Sequence, residues 1–306
     1  MTVMAESEEP GIRCGFVALV GRPNVGKSTL LNRLLGMKIS IISRKPQTTR
    51  NRILGIDTRE GTQTVYVDTP GLHRRQHRAL NRSLNRAAVS ALHDVDLAVF
   101  VVEALRWCDD DELVLEKIKA AGVPALVAIN KVDKVARKEL LLPYLQQLAA
   151  RHDFAALVPV SARRGRNLDA LRNDIVRHLP VTGQYMFPED QITDRSERFL
   201  VAELVREQLM ETLGQEVPYS TAVEIESFER KGDLTRIHVL IWVERPGQKA
   251  IVIGKGGHQL KQIGQKARPQ IERLLGTRVF MELWVKVREG WADDERAVQS
   301  LGYDGN

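Results

Sequence analysis

A chain of 306 residues is long enough for about two domains, and 43% hydrophobic with 27% charged residues is ordinary for a folded globular protein. The longest apolar run, Leu97–Val102, is far below the roughly 18 to 20 residues of a membrane-spanning helix. The acidic start Met1–Pro10 lacks the apolar core of a signal peptide, and Cys14 and Cys108 make neither a disulfide framework nor a zinc site, so a reducing cytoplasm is expected. The net charge of +6 is unevenly spread: residues 1–180 carry +9 and residues 181–306 carry −3. Yet 245–278 hold eight basic residues against one acid, and a polyanion-binding surface of the second part is expected there.

Residues 1–14 read as a disordered tail. The apolar run Phe16–Val20 then predicts a buried strand, and Leu30–Leu35 the start of an amphipathic helix. Between them stands Gly21-Arg22-Pro23-Asn24-Val25-Gly26-Lys27-Ser28-Thr29, the G-x-x-x-x-G-K-[ST] pattern of a phosphate-binding loop. Gly21 and Gly26 let the backbone from Asn24 and Val25 to Thr29 curl with its N–H groups inward, and the helix N-terminus adds its positive dipole end. Lys27 is placed to reach the outer phosphates, and the Ser28 hydroxyl to take one position on Mg²⁺.

The polar stretch Ser43–Arg50 has no helical or strand period. A loop here is where nucleotide switches carry a threonine that closes on Mg²⁺ only when a γ-phosphate is present. Thr49, directly before Arg50, is preferred over Thr48. Strands are expected at Arg52–Asp57 and Gln63–Val67 around the turn Arg59-Glu60-Gly61. The second runs into Asp68-Thr69-Pro70-Gly71-Leu72, where Asp68 suits the metal's outer shell and the Gly71 N–H suits the γ-phosphate. Arg74, Arg75, His77, Arg78, Arg82 and Arg86 read as a solvated helix face, with a nucleotide-sensitive surface as the sharper alternative.

Further strands are expected at Leu97–Val102 and Ala125–Ile129, flanking an acidic helix near Asp109–Ala121. The second delivers Asn130-Lys131-Val132-Asp133. Asp133 can accept from guanine N1–H and its 2-amino group, for which adenine has no matching donors, and a buried carboxylate left unpaired is costly. Asn130 braces this loop, and the Lys131 stem can lie over the base. The strand Leu157–Val160 ends in Ser161-Ala162, whose backbone can meet guanine O6. These motifs, in this order at strand ends, predict a site for GTP and GDP with Mg²⁺, in which Lys27, Thr49 and Gly71 carry the catalytic roles.

A helix over Asn167–Leu179 is broken by Pro180, Gly183 and Pro188, so 181–194 reads as a linker. Helix spacing over Arg195–Leu213 and alternation over Ala222–Phe228 and Thr235–Val243 predict a helix and a hairpin turning at Lys231–Asp233. Then comes Ile253-Gly254-Lys255-Gly256-Gly257, a helix over His258–Leu275 and a strand over Arg278–Val287. This glycine loop between two helices, in an α-β-β-α-α-β order, resembles a bacterial-type KH domain, a resemblance that implies a loop where a nucleic-acid backbone approaches closely and a groove for single-stranded RNA. Lys249, Ile253, Gly254, Lys255, Gly256, Gly257 and Lys261 are the expected contacts to single-stranded RNA, within a positive field shared by Lys266 and Arg268.

The first half resembles the translation-factor-like GTPases. Its G-R-P-N-V-G-K-S-T-L-L-N and D-T-P-G-L segments are similar to the Era/Der/TrmE branch, and its second half resembles a bacterial-type KH domain. With F-P-E-D-Q-I-T-D-R-S-E-R-F at 187–199 and E-L-W-V-K-V-R-E-G-W-A-D-D-E-R at 282–296, the similarity to the Era family runs from Gly15 to Tyr303. It implies an α/β P-loop GTPase domain at 15–180, a mostly parallel sheet with helices on both faces. An α+β KH type II domain is implied at 195–306. It further implies binding to the 3′ region of small-subunit (16S) ribosomal RNA and a role in maturing the small ribosomal subunit. The partners are then the rRNA and the subunit; a monomer is expected. The family's reported association with the inner membrane face would be peripheral, and no amphipathic membrane helix stands in this sequence.

One departure bears on mechanism: where Ras-like GTPases place a water-orienting Gln after the D-x-x-G glycine, this chain has Leu72, so intrinsic hydrolysis is expected to be slow. In related loops an Asn at the position of Asn24 helps hold a K⁺ ion, which would supply the missing charge. The alternative reading is a GTPase switch acting through a membrane or protein partner, with the KH-like unit as a packing module. A GTP-using RNA-modifying enzyme is disfavoured, because the second half has no Cys/His nucleophile cluster and no cofactor fingerprint.

Overall fold

The computed structural model describes residues 11–43, 45, 48–59, 61–72, 79–214, 217–294, 296 and 298. In chain order the elements begin with β1 (Arg13–Val20), α1 (Lys27–Leu35), β2 (Ile53–Arg59), β3 (Thr62–Asp68), α2 (Ala79–Ser90) and β4 (Leu97–Glu103). They continue with α3 (Asp109–Ala121), β5 (Ala125–Asn130), α4 (Leu141–Ala149), β6 (Ala156–Pro159) and α5 (Leu168–Arg177). The C-terminal part supplies α6 (Glu197–Thr212), β7 (Thr221–Lys231), β8 (Leu234–Val243), α7 (Pro246–Ile253), α8 (His258–Leu275) and β9 (Arg278–Val287).

The chain forms two units: residues 1–37, 53–68 and 89–194, and residues 38–52, 69–88 and 195–306. One cut falls between 194 and 195, where the C-terminal domain was expected to begin, and none falls at 180. The loop 38–52 and the segment 69–88 pack with the C-terminal elements, and 181–194, expected as a linker, packs with the first unit. The physical reason for the latter is an exposed sheet edge. Strand β2 would present unpaired N–H and C=O groups, and the extended segment covers them: Ile56 N donates to Ile192 O at 2.8 Å and Leu54 N to the Asp194 carboxylate at 3.0 Å. Buried Gln63 fastens the same segment, accepting from Met186 N and Phe187 N, each at 2.9 Å.

The sheet of the first unit has the order β2-β3-β1-β4-β5-β6. Only its edge strand β2 runs antiparallel, to β3; the other pairings are parallel. β4 and β5 are continuous apolar runs because both faces of a parallel sheet are covered. Every strand end that carries a motif therefore emerges on one edge of the sheet, as parallel order requires. Helix α3 begins with four acids, Asp109 to Glu112, at its positive dipole end. Helix α4 is missing from the sequence reading because only Tyr144 and Leu148 are buried in it, and exposed Leu142 blurs the period.

In the second unit the sheet order is β7-β8-β9, with β7 antiparallel and β9 parallel to β8. Ile237, Val239 and Ile241 point from β8 into a core shared with Val201, Val205 and Leu209 of α6 and Ile263, Ala267 and Ile271 of α8. Helix α6 starts at Ser196, whose hydroxyl accepts from Phe199 N. It is buried well beyond an amphipathic stripe: Glu203, Arg206 and Glu207 are covered too, because loop 38–52 packs on them. A second cluster joins Leu84 of α2 to Ala222, Trp291, Ala292 and Val298.

Ile237→Ala should remove a fully buried side chain from the centre of β8 and cost about 2–5 kcal/mol. Urea unfolding of the native and substituted proteins measures it, and a loss under about 1 kcal/mol would mean that the core relaxes to fill the space.

Candidate nucleotide site and nucleic-acid groove

The phosphate loop leaves β1 and enters α1 through residues whose backbone only glycine accommodates easily. Gly26 has φ +106, and a Cβ there would overlap the Asn130 side-chain amide. Asn24 also sits at positive φ, in the left-handed region that Asn tolerates better than most residues. Lys27 is buried, and its ammonium donates to Gly21 O at 2.9 Å and Arg22 O at 3.2 Å. Burial pushes its pKa down to about 8, with Asp68 acting upward and Arg22 downward. The Ser28 hydroxyl donates to the fully buried Asp68 carboxylate at 2.9 Å. A hydroxyl and a carboxylate are hard oxygen donors, the set that suits Mg²⁺, so the residues present fit that ion.

The base-reading end is built around Asn130 at the end of β5. Its Nδ2 donates to Val25 O at 2.8 Å, while its Oδ1 accepts from Lys131 N at 2.8 Å and Ala162 N at 3.0 Å. One side chain thus joins the phosphate loop, the N-K-x-D loop and the Ser161-Ala162 loop. Asp133 accepts from the Ser161 hydroxyl at 2.6 Å, and that hydrogen bond holds its carboxyl below the usual range, against a smaller upward push from burial. An ionised Asp133 carboxylate is the acceptor that guanine recognition demands, and the Ser161 hydroxyl supports that form. Lys131 adopts a left-handed backbone with φ 66, and its ammonium lies 3.0 Å from Glu103 Oε2.

Gly21, Asn24, Val25, Gly26, Lys27, Ser28, Thr29, Asp68, Asn130, Lys131, Asp133, Ser161 and Ala162 all fall in the first unit. Thr49 and Gly71 fall in the second. There Thr49 is buried, Thr48 Oγ1 donates to Lys45 O at 2.7 Å, and Thr48 O accepts from Arg206. The loop is fastened at more points. Glu207 accepts from Ile42 N at 2.9 Å and pairs with Lys38, while Arg50 donates to Thr221 O at 2.7 Å and to Pro218 O and Tyr219 O at 3.1 Å. Arg74, Arg75, His77 and Arg78 lie outside the described residues, as does the side chain of Arg82; Arg86 is exposed.

In the second unit the glycine loop holds Gly254, Gly256 and Gly257 at φ of +73, +58 and +77, and a Cβ on Gly254 would stand 2.6 Å from that of Gln259. Beside it runs an open groove of about 420 Å³ between α8 and β9. Gly257 and Lys261 line it as expected. Leu260, Gly264, Gln265 and Arg268 from α8, with Met281 and Leu283 from β9, complete it. Met281 and Leu283 were missed because they read as ordinary core positions of a strand. Lys249 and Lys255 are not part of the groove wall, and Ile253 packs partly against the core.

Family models match both parts of the chain: one described as a 50S ribosome-binding GTPase over residues 16–131, and one described as a KH domain over residues 216–292. The class is therefore a P-loop GTPase with a C-terminal KH domain. Proteins called GTPase Era are similar along the whole length. That of Marinobacter nauticus is 55% identical over 302 residues, 99% of each chain, and that of Azotobacter vinelandii 55% over 297, 97% of this chain and 99% of the relative. A crystal structure of a variant of Aquifex aeolicus Era bound to GDP and AlF4⁻ superposes with a TM-score of 0.92 at 41% identity, covering 95% of this chain and 99% of that one. A structure of Era in complex with MgGDPNP and nucleotides 1506–1542 of 16S ribosomal RNA also gives 0.92, at 40% identity, over 96% and 99%. The chain belongs to the Era family of GTPases, and it hydrolyses GTP.

The charged form of Lys27 is the one that attracts phosphate, so binding above pH 8 must draw a proton from solution. GDP affinity should fall as pH rises through about 8. Calorimetry at pH 8.5 in two buffers of different ionisation heat should show uptake of roughly three-quarters of a proton, and zero uptake would exclude Lys27 as the titrating group.

Proposed function

We propose that this chain is a GTP-driven, RNA-binding switch that binds the 3′ region of 16S ribosomal RNA and assists maturation of the small ribosomal subunit. The observation that carries the switch is the fastening of loop 38–52, which bears Thr49, to Arg206 and Glu207 of α6, a helix of the KH-containing unit. A loop that answers to a γ-phosphate and is also held by the RNA-binding unit gives the nucleotide a mechanical hold on RNA affinity. The groove along α8 and β9, apolar on its floor and flanked by Lys261 and Arg268, suits a short unpaired strand.

In this reading Lys27 binds the outer phosphates and Asp133 the guanine edge, with Ser161 and Ala162 at O6. Gly71 offers its N–H to the γ-phosphate. Ser28 and Thr49 would hold Mg²⁺ directly and Asp68 would hold it through water, and the bound ion would supply charge neutralisation at the outer phosphates. Leu72 supplies no group to orient water. K⁺ at Asn24, or the RNA partner itself, makes up for it. The site of action is the cytoplasmic small subunit, and any hold on the inner membrane face would be peripheral: among the described residues no helix is long and apolar enough to cross a membrane.

Affinity for an RNA of nucleotides 1506–1542, measured with a GTP analogue and with GDP, should differ by about tenfold or more in favour of the GTP analogue. Equal affinities would leave two tethered activities without a switch, and no binding would favour a protein or membrane partner. Hydrolysis should be several-fold faster in K⁺ than in Na⁺ buffer; equal rates would remove K⁺ from the mechanism.

A further inference from the structure

A chain of charged groups joins the two ends of the nucleotide site by a route separate from the Asn130 amide. The Arg22 guanidinium, 8% exposed, donates through Nε to Asp111 Oδ2 and through an Nη to Glu103 Oε2, each at 3.0 Å. The same Glu103 oxygen takes the Lys131 ammonium at 3.0 Å. Asp111 is fully buried, and its Oδ2 is fixed by Cys108 N at 3.1 Å, where it forms part of the cap of α3. The path therefore runs from the α3 N-terminus through a phosphate-loop side chain to the end of β4, and on to the base-reading loop.

Arg22 does more than occupy a variable position of the motif. Its own carbonyl and that of Gly21 receive the Lys27 ammonium, so the peptide units that aim Lys27 are those the guanidinium pins. A guanidinium can serve two carboxylates in one plane, which an ammonium cannot do with the same geometry. Glu103 in turn serves two cations. Burial alone would raise its pKa, but hydrogen bonds and charge from Lys131 and Arg22 outweigh that and hold it ionised.

We propose that Arg22 is a positioning residue that ties the phosphate loop to the base-reading loop through the shared Glu103 carboxylate, so that guanine-nucleotide affinity depends on the link. The inference rests on the placement of the nucleotide given above. Neither group need touch the nucleotide; they set the spacing at which Lys27 and the Lys131 loop meet it.

The test is a double-mutant cycle read by binding of fluorescently labelled GDP to the full chain. Arg22→Ala would strand the buried Asp111 carboxylate and risks the fold, so Arg22→Lys is used: it keeps a charge for Asp111 and gives up the second hydrogen bond. Glu103→Gln keeps an acceptor for one cation and turns an NH₂ towards the other. Each variant should bind GDP about tenfold more weakly, and the double variant should also lose about tenfold, because both changes cut one link. KM for GTP should rise in step with the loss of GDP affinity, and kcat should fall as well, because Lys27 is aimed through the same peptide units.

Thermal melts run alongside separate this from a general loss of structure: a lowered melting point with unchanged GDP affinity would overturn the proposal. So would additive losses approaching a hundredfold, or a Glu103→Gln protein indistinguishable from native. Asp133→Asn is the control for the site itself; if it bound GDP as well as native, the placement of the base would fall, and this inference with it.

Discussion

The Asn130 amide is the interaction on which the nucleotide site depends. It is nearly inaccessible to solvent, and it meets three backbone groups from three loops with one donor and one acceptor atom. No other short side chain can do this. Aspartate has no donor when ionised, and an apolar residue would leave Val25 O, Lys131 N and Ala162 N without partners, each at about 1–3 kcal/mol. The glycine at 26 belongs to the same constraint: the space a Cβ would need is the space the amide fills. The phosphate loop, the guanine-reading loop and the Ser161 loop are thus one assembly, although the first lies about a hundred residues or more from the other two in sequence.

Charge is used twice to hold what the fold alone would leave loose. In the first unit, Arg22 and Glu103 run from phosphate loop to base loop. In the second, Arg206 is wholly buried between Glu203 and the carbonyl of Thr48, and Glu207 faces Lys38 and Ile42 N. Burying such groups costs several kcal/mol per ion unless they are paired and hydrogen-bonded. Both networks are paired, and both sit at loops whose movement would matter to a nucleotide switch. The polar groups of α6 are therefore better understood as fixing where loop 38–52 rests than as adding stability, for which apolar packing would serve as well.

Much of this was legible in the chain. The strand, glycine loop and helix at 16–35, the Asp68 and Asn130 strand ends, and the glycine loop at 254–257 carry period and composition signals that local physics reads directly. Less was legible wherever a residue acts through distant partners. Arg22 stood at an unrestricted position of its motif, Glu103 stood just past the strand expected at Leu97–Val102, and Asp111 stood in the acidic start of the helix expected near Asp109–Ala121. Met281 and Leu283 look like core positions until β9 is laid beside α8. The segment 181–194 has the prolines and glycine of a linker, and nothing in it announces that β2 needs an edge covered.

The sequence by itself determined the two-part architecture, the guanine-nucleotide chemistry and the glycine loop of the RNA-binding unit, because each depends on residues close together and on backbone conformations that few side chains permit. Only the tertiary structure decided which loops belong to which unit, which cation shares Glu103 with Arg22, and what forms the far wall of the groove. Those are matters of contact between segments remote in the chain. A periodic pattern shows that a face will be buried, but not what will bury it.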